Sequence, residues 1–309
     1  MNFLSLNEFY EFLSSQKKLE KTKPKLNKNH FQKEIYQTKI SKQKFSNIEI
    51  INQKGYYSTI LSAQNSKGEY FAIKLYKSPS LKNYSNFEKE KEENQKKPNL
   101  KAQIINRFIQ EINIINHLEK NPNIIKMIDW GLTQPNLYPF IVLPLYQNSL
   151  SKKYQENQLD FSSFILKGVE TLKFIHFNNV IHQDLKIDNI LFDSSSNLIL
   201  CDWNSALFFS DENFEKISFQ KDLIGFGKIL ARIILGKIKG KLSIQQIKNS
   251  LKKVDEKNIN NNLNQSKNLL IWKDLIFKLL NITKFYNLND LEKFYKEIFE
   301  TINEKKMKK

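Results

Sequence analysis

Two patterns of apolar spacing divide the chain near residue 146. Before that point, short runs rich in β-branched and aromatic residues alternate with polar turns, as expected for antiparallel strands. The runs are IEIIN, YYSTILSAQ, YFAIKLY, IIKMIDW and FIVLPLY, with one helical pattern from Ile104 to Leu118. Beyond residue 146, apolar residues recur every three or four positions, which predicts helices at 160–177, 221–236, 242–253, 267–280 and 288–302. We therefore predict an α+β fold with a small five-stranded antiparallel β lobe that includes one helix, and a larger, mainly helical lobe.

The first 45 residues differ from both lobes. A short amphipathic helix is predicted for SLNEFYEFLSS, because Ser5 and Glu8 have the spacing of a capping box. Its apolar side would hold Phe3, Leu6, Tyr10 and Leu13. Residues 16–45 are rich in Lys and Asn without apolar periodicity, which favours a solvated tether. The predicted organisation is a helix and basic arm at 1–45, a domain at 46–303 with lobes at 46–143 and 144–303, and a basic tail at 304–309.

The net charge of +17 allows two interpretations. A basic field attracts nucleic acid, anionic surfaces and acidic substrates. However, the positive charge is almost all lysine, with arginine only at Arg107 and Arg232, and a bias toward Lys, Asn and Ile is also produced by an AT-rich genome. Because phosphate and base readers usually use the arginine fork, we favour the compositional interpretation. Nucleic acid remains the less favoured partner, tied to the basic arm, and an acidic acceptor is compatible with the charge.

Composition also limits the compartment and the cofactors. The single cysteine, Cys201, excludes an intramolecular disulfide and fits a reducing compartment, so we expect a soluble cytoplasmic or nuclear protein. No uncharged apolar run reaches the roughly 18 residues that a membrane span needs. The four histidines do not have the spacing of metal ligands, which argues against a zinc site.

The strongest chemical signal is IHQDLKIDNILF at residues 181–192, followed by NLILCDW. Asp184, Lys186 and Asn189 lie between a predicted helix and a short strand, and Asp202 ends the next strand. This spacing resembles the eukaryotic protein kinase family, with its catalytic loop H-R-D-x-K-x-x-x-N followed by D-F-G. A lone Asp in a loop is usually a turn or cap residue, but several such residues at the family's spacing are not.

The resemblance extends into the first lobe. In INQKGYYSTILSA, only Gly55 keeps one of the three glycines of the family's phosphate-covering hairpin. Lys74 in FAIK matches the family's strand lysine, and Glu111 lies on a helix where the family places the partner of that lysine; the alternative for each is a surface charge. Among kinases, the chain resembles the casein kinase two catalytic subunit most in its short motifs, with Tyr-Ser in the hairpin and Asp-Trp in place of Asp-Phe.

The resemblance implies a two-lobed protein kinase-like fold that uses ATP and Mg²⁺. Asp184 would accept the proton of the acceptor hydroxyl and Lys186 would steady the transferred phosphate, while Asn189 and Asp202 would bind the metal. Lys74, held by Glu111, would contact the α and β phosphates beneath the Gly55 hairpin. The remaining implied positions surround the adenine: Ile60 and Ala72 above it, Leu191 below it, Leu143 as gatekeeper and Leu145 at the hinge.

Several residues depart from the family pattern. Asn204 replaces the glycine of D-F-G, and asparagine tolerates the positive φ that glycine would allow. Gln183 replaces an arginine that grips a phosphorylated activation loop in many kinases. Only about 20 residues separate Asp202 from the next helix, no Ala-Pro-Glu is present, and the arginine that pairs with that Glu is absent. The sequence therefore predicts a shortened activation segment without control by loop phosphorylation, while Asp222 resembles the buried aspartate that braces the catalytic loop.

Three functional hypotheses follow. The leading one is an ATP- and Mg²⁺-dependent phosphotransferase, a divergent serine/threonine protein kinase acting on a protein or small-molecule hydroxyl. The alternative is a pseudokinase that acts as a nucleotide-binding or scaffold module, based on the lost glycines and the shortened segment. Nucleic-acid binding through the arm is the third. Asp129-Trp130-Gly131 also spells a metal motif, but it precedes the catalytic loop, so we assign it to a strand and turn.

Overall fold

A computed structural model describes the chain at residues 4–5, 7–9, 11–12, 35–39, 42–52, 57–76, 100–134, 137–210, 219–236, 243–253, 272–282, 285 and 287–307. The chain divides into two compact units. The first comprises Met1–Glu119 and Ile125–Tyr146, and the second comprises Lys120–Ile124 and Gln147–Lys309.

The first unit is built on an antiparallel sheet that closes on itself. Its strands, in the order β1-β2-β3-β4-β6-β5, form a barrel in which β5 also pairs with β1. They are β1 (Ile35–Thr38), β2 (Lys44–Asn52), β3 (Thr59–Asn65), β4 (Tyr70–Leu75), β5 (Asp129–Gln134) and β6 (Pro139–Pro144). Helix α1 (Leu100–His117) packs against β6.

The apolar pattern explains these elements. Along β3 every second residue is buried, which is the period of a strand with one face on a core. In α1, buried isoleucines and Phe108 recur at helical spacing and cover the sheet. The five strands predicted from the sequence correspond to β2 through β6, with one long helix beside them, so the predicted α+β fold with a small antiparallel β lobe is confirmed, and the sheet gains β1 as a sixth strand.

Two strand predictions were wrong in detail. Ile35–Thr38, placed in a solvated arm by composition, forms β1 because β5 supplies a partner that is distant in sequence. The strand predicted for IIKMIDW begins only at Asp129. Ile124 instead forms a parallel bridge with Leu200 in the second unit, where the backbone carbonyl of Asn123 accepts a hydrogen bond from the Leu200 amide at 2.7 Å.

The amino-terminal segment begins with the predicted capping box. The Ser5 amide donates to Glu8 Oε2 at 2.8 Å, and the Glu8 amide donates to Ser5 Oγ at 3.1 Å. Residues 7–9 and 11–12 are helical. The four residues predicted for its apolar side lie outside the described residues, whereas Phe9, which the pattern did not assign to that side, is buried at 1% exposure.

The second unit is mainly helical, as predicted. Its helices are α2 (Leu150–Gln155), α3 (Phe161–Phe177), α4 (Phe219–Ile234), α5 (Ile244–Lys252), α6 (Lys273–Leu280) and α7 (Leu288–Met307). Its short strands are β7 (Asn148–Ser149), β8 (Val180–Ile181), β9 (Ile190–Phe192), β10 (Leu198–Leu200) and β11 (Leu207–Phe208). A 3-10 turn at Ile187–Asn189 precedes β9. In the described part of the chain, none of the helices combines the length and hydrophobicity of a membrane span.

Helices α3 and α4 approach each other closely at a glycine. A Cβ atom on Gly168 would lie 2.3 Å from Cζ of Phe226, far inside van der Waals contact. A side chain at this position would force the Phe226 ring to shift, so Gly168 lets the ring pack closely on the α3 backbone.

Candidate active site

The segment between β8 and β9 gathers three polar side chains that the sequence singled out. Lys186 Nζ donates to Asp184 Oδ2 at 2.5 Å, and both side chains are partly exposed. Asn189 Nδ2 donates to the backbone carbonyl of Asp184 at 2.8 Å and lies 3.4 Å from Asp184 Oδ2. The 3-10 turn brings Asn189 back toward Lys186, whose carbonyl accepts the Asn189 amide at 3.1 Å, and from there the Asn189 side chain reaches Asp184.

A strand hairpin brings Asp202 to the same place. In the pairing of β9 with β10, Ile190 faces Leu200 and Leu191 faces Ile199. One step further, the Cys201 amide donates to the Asn189 carbonyl at 3.0 Å. Asp202 therefore leaves the hairpin beside Asn189, although the two residues are 13 positions apart in the sequence.

His182 joins the two sides of this arrangement. The Asp184 amide donates to His182 Nδ1 at 3.3 Å, and His182 Nε2 lies 3.0 Å from the Cys201 carbonyl. Both bonds are satisfied when the ring proton is on Nε2. The ring also packs on the buried indole of Trp203 at 4.6 Å between centroids. The imidazole thus fixes the backbones that carry Asp184 and Asp202.

The electrostatics of the site centre on Lys186. Partial burial disfavours the ammonium, but the hydrogen bond and charge of Asp184, with the charges of Asp202 and Asp188, raise its pKa overall. A raised lysine pKa keeps the ammonium charged throughout the neutral range. Asp184 and Asp202 thus act on one cation, which places both carboxylates in the same local field.

Asp222 supports the backbone of the loop between β8 and β9. Its carboxylate, fully buried near the start of α4, accepts the His182 and Gln183 amides at 2.7 Å each. His176 Nε2 lies 3.1 Å from the same carboxylate. Gly225, one turn along α4, lets the helix approach the loop, since a Cβ there would lie 3.0 Å from the Leu185 carbonyl oxygen. The resemblance of Asp222 to a loop-bracing aspartate is therefore matched by its contacts.

Burial and its partners act on Asp222 in opposite directions. Burial would raise the pKa of the carboxyl, but the hydrogen bond and charge of His176, aided by His182, lower it. Tyr295 on α7 extends this chain, with its hydroxyl 2.7 Å from His176 Nδ1. Burial, and then the Asp222 charge, raise the pKa of Tyr295 well above its usual value, so its hydroxyl stays protonated.

In the first unit, Lys74 and Glu111 form a buried ion pair. Lys74 Nζ donates to Glu111 Oε2 at 2.7 Å and Oε1 at 2.9 Å, with the side chains 3% and 1% exposed. The Tyr76 hydroxyl donates to Glu111 Oε2 as well. A two-point contact from the ammonium with a further hydroxyl leaves the carboxylate well satisfied, as a buried charge requires.

The strand register places the other predicted nucleotide contacts on the Lys74 face of the sheet. Ile60 pairs with Lys74, and Ala72 pairs with Leu143. Direct cross-strand partners share a face, and so do Ala72 and Lys74, two residues apart on β4. Leu145 follows β6. Leu191 lies on β9 in the second unit, and Gly55 lies outside the described residues.

Asn204 does not have the backbone conformation that its replacement of glycine suggested. At this site, positive φ is found instead at Asp202, with φ 67°, and at Gln183, with φ 64°. Asn204 therefore does not need to adopt a positive φ, and the left-handed backbone conformation falls on Asp202. Asp129 is the first residue of β5, 1% exposed, and accepts the Trp130 amide at 2.7 Å, so the strand assignment of this decoy motif is confirmed.

The donor set fits Mg²⁺ chemically. Carboxylate and amide oxygens are the hard ligands that this ion prefers. Because Asn189 Nδ2 donates to the Asp184 carbonyl, Oδ1 of the same amide faces away from that carbonyl. Within the described ranges, no group of three or more His, Cys, Asp or Glu side chains has metal-binding geometry. The candidate ligands are thus one carboxylate and one amide, a set that suits an ion that also keeps waters and phosphate oxygens.

Sequence reasoning missed three residues of these networks. His176 was considered only as a metal ligand, yet it bonds Asp222. Tyr295 lies 119 residues from its partner His176, and no local pattern connects them. Tyr76 looked like an ordinary strand aromatic. Its position two residues after Lys74, directly beyond the end of β4, was the available signal, because alternate residues of an extended chain share a face.

A buried lysine–glutamate pair beside a curled sheet, together with an Asp–Lys–Asn loop braced from a helix, defines a class of phosphotransferase folds. The chain matches the protein kinase domain family over residues 53–225, more than half of its length. It therefore belongs to the protein kinase domain family, and the resemblance inferred from the sequence is confirmed.

Curated relatives match a shorter portion. Mitogen-activated protein kinase spm1 of Schizosaccharomyces pombe is 30% identical over 132 residues, 40% of this chain and 31% of that protein. Serine/threonine-protein kinase KDX1 of Saccharomyces cerevisiae is 29% identical over 129 residues, 38% and 29% of the two chains. Calcium-dependent protein kinase 3 of Plasmodium yoelii yoelii is 31% identical over 121 residues, 37% and 22%. The matched region thus spans less than a third of each of these relatives.

Proposed function

We propose that this protein is an ATP- and Mg²⁺-dependent phosphotransferase, a serine/threonine protein kinase that transfers the γ-phosphate of ATP to a hydroxyl. The observation that carries the proposal is the convergence of Asp184, Lys186 and Asn189 on one loop, with Asp202 delivered beside them by the β9–β10 hairpin. The buried Lys74–Glu111 pair supports it independently. Serine or threonine as the acceptor is supported by Lys186 and by the name of the relative KDX1.

The proposed mechanism relies on positioning and charge. Asp184 orients the acceptor hydroxyl and takes its proton as the oxygen bonds to the γ-phosphorus and the bond to the leaving ADP oxygen breaks. Lys186, held charged by the surrounding carboxylates, stabilises the oxygens of the transferred phosphate. Lys74 neutralises the α and β phosphates, and Glu111 fixes the ammonium that does so.

Asn189 and Asp202 would hold Mg²⁺. Bound there, the ion would neutralise charge on the phosphate oxygens and fix their geometry. The protein's part is to present two hard oxygen ligands at a defined spacing, which the β9–β10 register and the His182 bridge to Cys201 secure.

The direct test uses the full chain with radiolabelled ATP. We expect Mg²⁺-dependent ATP binding and slow transfer of the γ-phosphate to water or to a protein acceptor. Binding without turnover on any acceptor would favour the pseudokinase alternative. No nucleotide binding with or without Mg²⁺ would overturn both.

Glu111→Gln should raise the KM for ATP about tenfold, with a smaller change in kcat. The amide keeps the shape but removes the charge that fixes the Lys74 ammonium, and a charged hydrogen bond is worth about 1.5 kcal/mol or more. Initial rates over a range of ATP concentrations measure the effect. Glu119→Gln, an exposed glutamate just past the end of α1, is the matched control and should behave as wild type. Equal KM values for all three proteins would contradict the assigned role.

A further inference from the structure

The amino-terminal helix, described at residues 7–9 and 11–12, is attached to α1 through Leu4, which directly precedes the capping residue Ser5. The Leu4 amide donates to Asn113 Oδ1 at 2.8 Å, and Asn113 Nδ2 donates to the Leu4 carbonyl at 3.0 Å. These reciprocal bonds join residues 109 positions apart. Asn113 lies two residues beyond Glu111 in the sequence, so the attachment is made on the same part of α1 as the ion pair but on another face of the helix.

Aromatic packing fixes the same helix to the first unit. The Phe9 ring lies 5.4 Å from Phe108 on α1 and 6.3 Å from Trp130 on β5. Phe12 meets Trp130 edge-on at 5.4 Å, and Lys39 Nζ lies within 4.8 Å of the centroids of both of those rings. Burial of a phenylalanine side chain contributes about 2 kcal/mol, so the helix is a packed part of this unit.

A continuous set of contacts leads from Phe9 to the ion pair. Phe108 packs edge-on against Tyr76 at 5.3 Å between ring centroids. The Tyr76 ring is fully buried, and its hydroxyl donates to Glu111. Phe108 and Glu111 are three residues apart on α1 and so lie on neighbouring parts of its surface. Phe9 of the amino-terminal helix therefore contacts Phe108, and Phe108 contacts Tyr76. The Tyr76 hydroxyl in turn donates to Glu111.

The geometry of the pair depends on where α1 sits. Lys74 is fixed by β4, whereas Glu111 is delivered by a helix 37 residues later. A buried ion pair is favourable only when its geometry is maintained, because both charges have lost their water. The contacts at Asn113 and Phe108 restrain the translation and rotation of α1, and the Tyr76 hydroxyl restrains the carboxylate.

We propose that the amino-terminal helix acts in cis as a positioning element for the Lys74–Glu111 pair, with Phe9, Asn113 and Phe108 fixing α1 and Tyr76 fixing the carboxylate. The consequence for ATP rests on the proposed function. The coupling itself is a property of the folded chain and can be measured without nucleotide.

The test measures how fast an amine-acylating reagent modifies Lys74 in the nucleotide-free full chain, by peptide mass spectrometry. Lys74 is 3% exposed while the pair is intact, so loosening of the pair exposes its amine. Phe9→Ala, Asn113→Ala and Tyr76→Phe should each raise the rate about tenfold, the effect of losing one contact to a buried charge or its support. Phe9→Leu, which keeps an apolar side chain, should restore most of the protection.

A matched control separates positioning from general destabilisation. Phe285, in the second unit, is 9% exposed and packs on Phe294 at 5.3 Å, so Phe285→Ala removes a buried aromatic ring from the unit that does not contain the pair. This variant should leave Lys74 as protected as in wild type. A rise equal to that of Phe9→Ala, or no rise in Phe9→Ala and Asn113→Ala, would overturn the proposal.

Two further readouts keep this inference distinct from the proposed function. Phe9→Ala and Tyr76→Phe should be non-additive in the labelling rate, because both act on one carboxylate; strict additivity would contradict the connection. Each should also raise the KM for ATP more than it lowers kcat. If wild type binds no ATP but labelling behaves as described, the proposed function fails and the positioning role stands. If wild type is an active kinase but the variants label Lys74 no faster than wild type does, the positioning role fails and the proposed function stands.

Discussion

Asp184→Asn should lower kcat for γ-phosphate transfer by about 10²–10⁴ while leaving the affinity for ATP within about twofold of wild type. The amide keeps the size of the carboxylate and can still orient a hydroxyl, but it cannot take the proton. It also removes the closest negative partner of Lys186, 2.5 Å away. Phosphate release and transfer, measured beside nucleotide binding, separate the two effects.

The matched control for this substitution is Asp188→Asn. Asp188 is exposed on the same 3-10 turn and contributes charge to Lys186, but it does not lie against that ammonium as Asp184 does. It should retain turnover near that of wild type. Equal losses in both variants would indicate a general effect of loop charge, and full activity of Asp184→Asn would remove the general base from the mechanism.

The loop between β8 and β9 could be predicted because its chemistry is local. Asp184, Lys186 and Asn189 lie within six consecutive residues, and the flanking apolar runs set the strands that hold them. The Lys74–Glu111 contact was also inferred, but from the resemblance, since nothing in the sequence near either residue specifies a partner 37 positions away. In the second unit, the bounds of α3, α4 and α5 lie within two residues of those predicted, because their amphipathic periodicity is strong, whereas α7 continues five residues beyond its predicted end and α2 was not predicted.

Features that depend on distant partners were missed. β1 is polar enough to resemble a tether, and its strand conformation comes from pairing with β5. Phe9 is buried because Phe108 and Trp130 provide a site for it, not because of its own helical pattern. For Asn204, the sequence identified an unusual residue but not the backbone: the positive φ lies two positions earlier, at Asp202.

Asp222→Asn should lower the free energy of unfolding by about 3–5 kcal/mol near neutral pH and abolish transfer in the folded fraction. The carboxylate accepts two backbone amides and a histidine in a fully buried position. An asparagine supplies one acceptor oxygen, and its NH₂ group would face donors, leaving buried N–H groups unsatisfied. Chemical denaturation of both proteins measures the loss.

The pH dependence of that difference gives the sharper test. The folded-state pKa of Asp222 is lowered from 3.8, so the unfolded chain takes up its proton first as the pH falls. The stabilising contribution of the Asp222 carboxylate is fully present above pH 3.8 and declines as the pH falls toward the folded-state pKa. The difference in free energy of unfolding between wild type and Asp222→Asn should therefore narrow only in acid. Asp160→Asn, at the N-cap of α3 where either residue caps well, should cost little at any pH. A difference in free energy of unfolding that widens with acid would contradict this, because it would mean that the buried carboxyl is protonated in the native protein and supports the loop as a neutral group.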